Sequence, residues 1–141
     1  MTTPLYNLEI LKLAASTANL RRLENPQASV EKRSPTCGSR VMIDVTLDPA
    51  GRVREVGGDV HACALGQAST ALMVSHAYGH SPSDLAEAWE GLRAYLKGER
   101  LQPGNWPGLE IFEPARKHSG RHASILLAFE AAAEAALAAR R

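Results

Sequence analysis

The segment between the two cysteines of the chain, Cys37 and Cys63, constrains the fold more than any other part of the sequence. Two extended-type stretches flank the turn sequence Asp48-Pro49-Ala50-Gly51, in which proline presets φ and glycine accepts a positive φ. Each cysteine lies thirteen residues from Ala50. Residues equidistant from a hairpin turn lie side by side, so the sequence predicts two neighbouring thiols at the open end of a β-hairpin.

The two arms of this hairpin differ in how clearly they indicate a strand. The first arm alternates apolar and polar residues, with the period of a half-buried strand, and its apolar members are Val41, Ile43, Val45 and Leu47. The returning arm carries Val53, Val56 and Val60, and Gly57-Gly58 interrupts it. Glycines inside a strand predict a β-bulge at that point.

The period changes to that of a helix directly after Cys63. Leu65, Ala68 and Leu72 share one helical face, and Gly79 ends the run. Cys63 is therefore predicted at or just before a helix N-terminus. The free N–H groups and the helix dipole favour the thiolate there, which is the form that binds metal or attacks sulfur.

The rest of the chain is predicted to be mainly helical. A first helix is expected over residues 4–23, ended by Asn25-Pro26, and residues 27–36 are either a loop or an edge strand of the hairpin. Ser81-Pro82-Ser83-Asp84 is a helix start with a capping-box pattern, and Gly98 marks its stop. A last, alanine-rich helix is expected from about residue 123 to 140.

Residues 98–111 are predicted to be a loop, and a long loop in a small domain is either functional or mobile. Trp106, within it, is a candidate for contact with a partner, whereas Trp89 is assigned to the core. The passage that follows contains His118 and His122 among basic residues. A solvated loop is the simpler interpretation of those histidines.

Size and composition exclude several classes of protein. A length of 141 residues predicts one domain over 1–141, and a net charge of +1 argues against a nucleic-acid partner. We find no apolar run that approaches a membrane span and no export signal. Two cysteines do not make a secreted disulfide framework, so we expect a cytoplasmic protein whose thiols bind metal or handle sulfur. The alternative is that they are two small buried hydrophobic residues.

Three motifs resemble one family, the U-type iron–sulfur cluster assembly scaffolds, which include IscU, SufU and the N-terminal domain of NifU. Glu24-Asn25-Pro26 resembles the family's Glu-Asn-Pro. Pro35-Thr36-Cys37-Gly38-Ser39-Arg40-Val41 resembles the SufU-type Pro-x-Cys-Gly-Asp-Arg-Ile/Val. The segment from Cys63 to Ser69 resembles the surroundings of the second family cysteine. The resemblance as a whole covers nearly the whole chain.

The resemblance implies an α+β fold, with a three-stranded antiparallel sheet packed against four or so helices. It also implies a carrier rather than an enzyme. Such a carrier receives sulfur from a cysteine desulfurase, assembles a [2Fe–2S] cluster and passes it to apo iron–sulfur proteins. The family site normally contains three cysteines and an aspartate, and some members bind zinc there.

This sequence departs from that ligand pattern twice. Ser39 stands at the position of the family's aspartate, and the third cysteine is missing. Matching Leu127-Ala128-Phe129 to the last family helix puts Ser124 at that position, whereas matching Pro114-Ala115-Arg116 puts Ser119 there. Both registers remain open from the sequence, and neither supplies a thiol.

Histidine is the available replacement for the missing thiolate. Two thiolates with one or two imidazoles can hold zinc or iron, and a [2Fe–2S] cluster accepts histidine ligands. We therefore predict a metal site formed by Cys37, Cys63 and either His122 or His118. A homodimer that supplies further ligands remains an open alternative.

Three functions follow from these residues. The leading hypothesis is an iron–sulfur cluster scaffold that holds iron or a [2Fe–2S] cluster. The second is a degenerate member that binds zinc or no metal and regulates a desulfurase or another scaffold. In the third, Cys37 or Cys63 accepts a persulfide and passes it on without holding iron.

Overall fold

A computed structural model describes residues 5–35 and 38–140. Its sheet has three antiparallel strands in the order β1-β2-β3, which are Ala28–Arg33, Arg40–Leu47 and Val53–His61. The strands β2 and β3 form the predicted hairpin. The segment 27–36, for which the sequence allowed either a loop or an edge strand, contains the edge strand β1. Cys37 lies outside the described residues, and so does the predicted approach of the two thiols.

Helices pack against this sheet, which confirms the predicted α+β class. In the described part of the chain, the four α-helices are α1 (Leu8–Ser16), α2 (Ala64–His76), α3 (Pro82–Leu96) and α4 (His122–Ala139). Three 3₁₀ helices accompany them, at Thr17–Asn19, Leu109–Lys117 and Ser119–Arg121. The second of these occupies the end of the segment that was predicted to be a loop.

The first helix is shorter than the predicted 4–23. It begins after Asn7, whose side chain accepts a hydrogen bond from the amide of Ile10, and it ends at Ser16. The hydroxyls of Ser16 and Thr17 bond back to carbonyls of the last turn. Such bonds compete with helix continuation, so the apolar stripe alone overestimated the length of the helix.

The register irregularity of the hairpin lies between Thr46 and Leu47, not at the two glycines, so the predicted bulge at Gly57-Gly58 was wrong. Both glycines pair regularly with β2. They are needed because the chain after α1 crosses β3 at this point. Gly58 donates its amide to the carbonyl of Arg21 at 2.9 Å, and a Cβ on Gly57 would collide with that same carbonyl.

The capping pattern at the start of α3 is confirmed. The Ser81 hydroxyl accepts from the amide of Asp84, and the Asp84 carboxylate accepts from the amide of Ser81. Proline occupies the first turn, where its missing N–H costs nothing. Neighbouring residues therefore set this boundary, as the sequence pattern predicts.

The core lies between the sheet and α2, α3 and α4. Its largest fully buried side chains include Phe112, Phe129, Ile10 and Ile43. Trp106 is also buried, with 5% of its surface exposed, which corrects its assignment to partner contact. Its indole Nε1 donates to the carbonyl of Leu72 at 3.0 Å, and its ring meets that of Phe129 edge-on.

The helix α4 together with the preceding turn, Ser119–Ala139, is long and apolar enough to cross a membrane by composition, with a mean hydropathy of 1.3. However, 56% of its most apolar stretch is buried inside the fold. It packs against the sheet, α2 and α3. This is the pattern of the central helix of a globular core.

A buried carboxylate ties the chain after α1 to the middle of the sheet. Asp44, on β2, has no exposed surface. It accepts two hydrogen bonds from the Arg22 guanidinium, one from the amide of Leu23 and one from the hydroxyl of Ser29. Burial raises the pKa of the Asp44 carboxyl, but these donors together outweigh burial and leave that pKa below its ordinary value.

We expect Asp44→Asn to lower the free energy of unfolding by roughly 2 kcal/mol at neutral pH, because donors placed for a carboxylate lose their charged acceptor. The depressed pKa means that the carboxylate stabilises the fold above the pKa of the unfolded chain, about 3.9. That contribution disappears as the pH falls through the lower folded value. Urea unfolding at neutral and acidic pH measures both effects.

The control is Asp59→Asn, at an exposed aspartate of the same sheet. Its ion pair with His61 lies at the surface and contributes little. If Asp59→Asn and Asp44→Asn destabilise the protein equally, the buried carboxylate has no special role.

Candidate functional site

Cys63 lies at the junction between the sheet and α2. β3 ends at His61, and Cys63 is the N-cap residue of α2, with extended backbone angles and a half-buried side chain. Its carbonyl accepts the first helical bond, from the amide of Gln67, at 2.9 Å. The predicted position of this cysteine at a helix N-terminus is confirmed.

Two buried serines lie beside Cys63. The Oγ of Ser124, in the first turn of α4, is 3.4 Å from the Sγ of Cys63. The Oγ of Ser39, just before β2, is 3.1 Å from the Oγ of Ser124. Ser124 has 1% of its surface exposed and Ser39 has 4%. These three residues are called the thiol–hydroxyl cluster below. They come from three segments that are far apart in sequence: the start of β2, the start of α2 and the start of α4.

The structure distinguishes Ser119 from Ser124, the two serines that the sequence offered for the position of the missing third cysteine. Ser124 contacts Cys63, whereas Ser119 is exposed in the 3₁₀ helix before α4. The alignment based on Leu127-Ala128-Phe129 therefore selects the serine that contacts Cys63. The alignment based on Pro114-Ala115-Arg116 selects an exposed serine instead. The helical match succeeds because α4 is continuous from His122, so spacing along it is fixed.

Gly66 allows α4 to approach α2 this closely. A Cβ on Gly66 would lie 2.5 Å from the Oγ of Ser124 and 2.7 Å from the Cβ of Ala62. One turn further along α2, the hydroxyl of Ser69 donates to the carbonyl of Ile125 at 2.6 Å. The first turns of both helices are thus held together at the thiol–hydroxyl cluster.

The predicted histidine ligands differ in their surroundings. The Nε2 of His122 lies 2.8 Å from the carbonyl oxygen of Ala115, which can only accept, so Nε2 carries a proton, and in the neutral ring the lone pair is on Nδ1. Metal-bound histidines commonly have this arrangement, with one ring nitrogen donating to a carbonyl. His118 is exposed, and His61 is exposed and pairs with Asp59.

Tyr6, which precedes α1, is a residue of the site that sequence reasoning missed. Burial raises the pKa of its phenol, and Cys63 raises that pKa further through charge and a hydrogen bond, while Arg121 lowers it. The guanidinium carbon of Arg121 is 5.9 Å from the centre of the Tyr6 ring. No motif marks this tyrosine, because its contact with Cys63 depends on how α1 packs beside α2.

The donor atoms around Cys63 are one thiol and several hydroxyls. Within residues 5–35 and 38–140, no three histidine, cysteine, aspartate or glutamate side chains are grouped so that they could hold a metal ion. A metal bound at Cys63 therefore needs at least one ligand beyond those that the described residues group there. A thiol at a helix N-terminus beside hydroxyl donors can, without a metal, act as a sulfur nucleophile.

We expect Gly66→Ala to lower the free energy of unfolding by roughly 1–3 kcal/mol, because the new methyl group forces Ser124 and α4 away from α2. Thermal unfolding measures the loss. Gly120→Ala is the matched control, since nothing lies within 4 Å of a Cβ at Gly120. Equal stability of the two variants would contradict the close contact of the helices.

No protein-family model matches the chain, and no curated protein matches it. Solved structures do. The crystal structure of the N-terminal part of a nitrogen-fixing NifU-like protein from Brucella abortus is 32% identical to this chain. The match covers 96% of this chain and 94% of that one, with a TM-score of 0.89.

Two more distant structures share the fold. One is a candidate iron–sulfur cluster assembly scaffold protein for the SUF system from Fervidobacterium islandicum AW-1, 20% identical, with a TM-score of 0.85. That match covers 94% of this chain and 96% of the other. The second is a hypothetical protein, 19% identical, matched over 92% of this chain and 97% of its own, with a TM-score of 0.70.

Proposed function

The chain belongs to the family of U-type iron–sulfur cluster assembly scaffolds, and from this we propose that it receives sulfur from a cysteine desulfurase and carries iron or a [2Fe–2S] cluster as cargo. It then passes the cargo to apo iron–sulfur proteins. It acts as a carrier rather than an enzyme, as one domain over residues 1–141, in the cytoplasm.

The placement of Cys63 is the observation that supports sulfur receipt. A persulfide on a desulfurase cysteine consists of a sulfur bonded to the cysteine sulfur. The Cys63 thiolate attacks the outer sulfur, a new S–S bond forms on Cys63, and the electrons of the old bond stay on the desulfurase thiolate. Cys63 is half-buried at the N-cap position of α2, so its side chain is partly open to an incoming sulfur and lies at the positive end of the helix dipole.

We propose Cys37, Cys63 and His122 as the protein ligands for bound iron, a cluster or zinc. His122 is a better candidate than His118, because its bond to Ala115 fixes the ring and leaves Nδ1 as the ligating atom. Cys63 supplies the soft donor that these metals favour. When bound, the metal supplies a positive charge that keeps sulfur ligands anionic.

The two serines favour a second candidate function. Ser124 places a neutral hydroxyl next to Cys63 and Ser39 places a second one behind it, where a cluster scaffold benefits from charged thiolate or carboxylate ligands. A protein with this environment can carry sulfur alone, or bind zinc or no metal and regulate a desulfurase. Measured metal content separates these functions.

The decisive experiment is the metal and acid-labile sulfide content of anaerobically purified protein, compared with Cys37→Ala and Cys63→Ala. Iron with sulfide that is lost in both variants supports the cluster carrier. Zinc alone, lost in both variants, supports the zinc-binding alternative. If the wild type has no metal but Cys63 becomes persulfidated by a desulfurase with cysteine, the protein carries sulfur only. If both readouts fail, Cys63 carries neither metal nor sulfur, and the metal-free regulator is the function that is left.

We expect His122→Gln to lower the metal content or weaken metal binding by roughly 10-fold or more, since a ligand is lost. Glutamine can still donate to the carbonyl of Ala115, so the loop is retained while the lone pair of Nδ1 is removed. His118→Gln is the matched control and should leave metal binding unchanged. If metal binding is lost in His118→Gln and kept in His122→Gln, His118 is the ligand. If both variants bind metal like the wild type, neither histidine is a ligand.

A further inference from the structure

We infer that Ser124 donates the hydrogen bond that stabilises the Cys63 thiolate when sulfur leaves this residue, and that Ser39 supports this bond by donating in turn to the Ser124 oxygen. This inference depends on the sulfur-carrying part of the proposed function. It assigns a specific step, the release of sulfur, to the two hydroxyls that distinguish this chain from the ligand pattern of its family.

The direction of the hydrogen bonds follows from the number of protons. A serine hydroxyl has one proton, and a thiolate can only accept. When Sγ of Cys63 is anionic, Ser124 therefore donates to it, and the Oγ of Ser124 is then free to accept from Ser39. The distances of 3.4 Å and 3.1 Å allow this chain of two bonds. In a buried site, such linked bonds polarise one another and strengthen the bond to the charged end.

Burial explains why water cannot replace this donor. Ser124 and Ser39 have 1% and 4% of their surfaces exposed, and Gly66 closes the space on the other side of Ser124. Tyr6 also bonds to Cys63, but 39% of its surface is exposed, so water can take over that bond. Loss of the Ser124 hydroxyl would remove the buried donor that the described residues place beside Sγ.

Release moves the outer sulfur of the Cys63 persulfide to an acceptor. An acceptor nucleophile attacks the outer sulfur of the Cys63 persulfide and forms a bond to it. The S–S bond breaks, and its electron pair stays on Sγ, which becomes a thiolate. Negative charge thus develops on the atom that Ser124 contacts. A hydrogen bond to developing charge lowers the barrier more than it stabilises the starting persulfide, whose charge resides on the outer sulfur.

The test uses cyanide as the nucleophile, because it removes the outer sulfur as thiocyanate and leaves the thiolate. All proteins carry Cys37→Ala, so that Cys63 is the one remaining cysteine of the sequence. They are freed of metal with a chelator and loaded with inorganic polysulfide, which transfers one sulfur to the thiolate and becomes one sulfur shorter. Thiocyanate formation then measures the rate of release.

We expect Ser124→Ala to release sulfur roughly tenfold more slowly, the factor that about 1.4 kcal/mol represents. Ser39→Ala should cause a smaller slowing, since Ser124 remains. Ser119→Ala, at the exposed serine, should release sulfur at the wild-type rate. The sign of the change is diagnostic, because a variant that merely loosens the site exposes the persulfide and speeds the reaction. Thermal unfolding checks that each variant is folded.

Suppose that the parent protein, with Ser124 intact, carries persulfide on Cys63. An unchanged or faster release of sulfur from folded Ser124→Ala would then overturn this inference and leave the proposed function standing. If the parent protein holds no sulfur on Cys63 after loading, the sulfur-carrying function and this inference fail together. If Ser119→Ala slows release as much as Ser124→Ala, the effect does not come from the contact with Cys63, and the inference is wrong.

Discussion

The close contact between the first turns of α2 and α4 determines the site. Gly66 has no side chain at the point of closest approach, and the Ser69 hydroxyl bonds across to the backbone of α4. Because both helices begin here, the N-cap residue of α2 and the first turn of α4 face each other. Every contact between Cys63 and Ser124 depends on this approach.

The sheet fixes the other half of the site. β2 begins directly after Ser39, and β3 ends two residues before Cys63, so the register of one hairpin places both residues at the same end. The bulge near the turn shifts that register by one residue. Asp44 then anchors the chain after α1 to the sheet through Arg22 and Leu23. A buried carboxylate with four donors resists displacement, since any movement leaves it without partners.

The chemistry of the site follows from what surrounds one sulfur atom. A thiolate or carboxylate beside Cys63 would add charge and a metal ligand, whereas Ser39 and Ser124 add hydrogen-bond donors. Donors stabilise negative charge on sulfur without holding a metal. The fold of a cluster scaffold is thus combined with hydrogen-bond donors at Cys63, and sulfur transfer there and metal binding through His122 are the roles we propose.

The sequence by itself determined the hairpin, the start of α3 at its capping box and the position of Cys63 before a helix, because turns, caps and periodicity are set by neighbouring residues. It also carried the family resemblance. It placed neither Trp106 in the core nor Tyr6 at the thiol, and it left Ser119 and Ser124 equivalent. Only the tertiary structure decided these, because contacts over 85 residues of chain, such as that of Ser39 with Ser124, depend on how helices pack on the sheet.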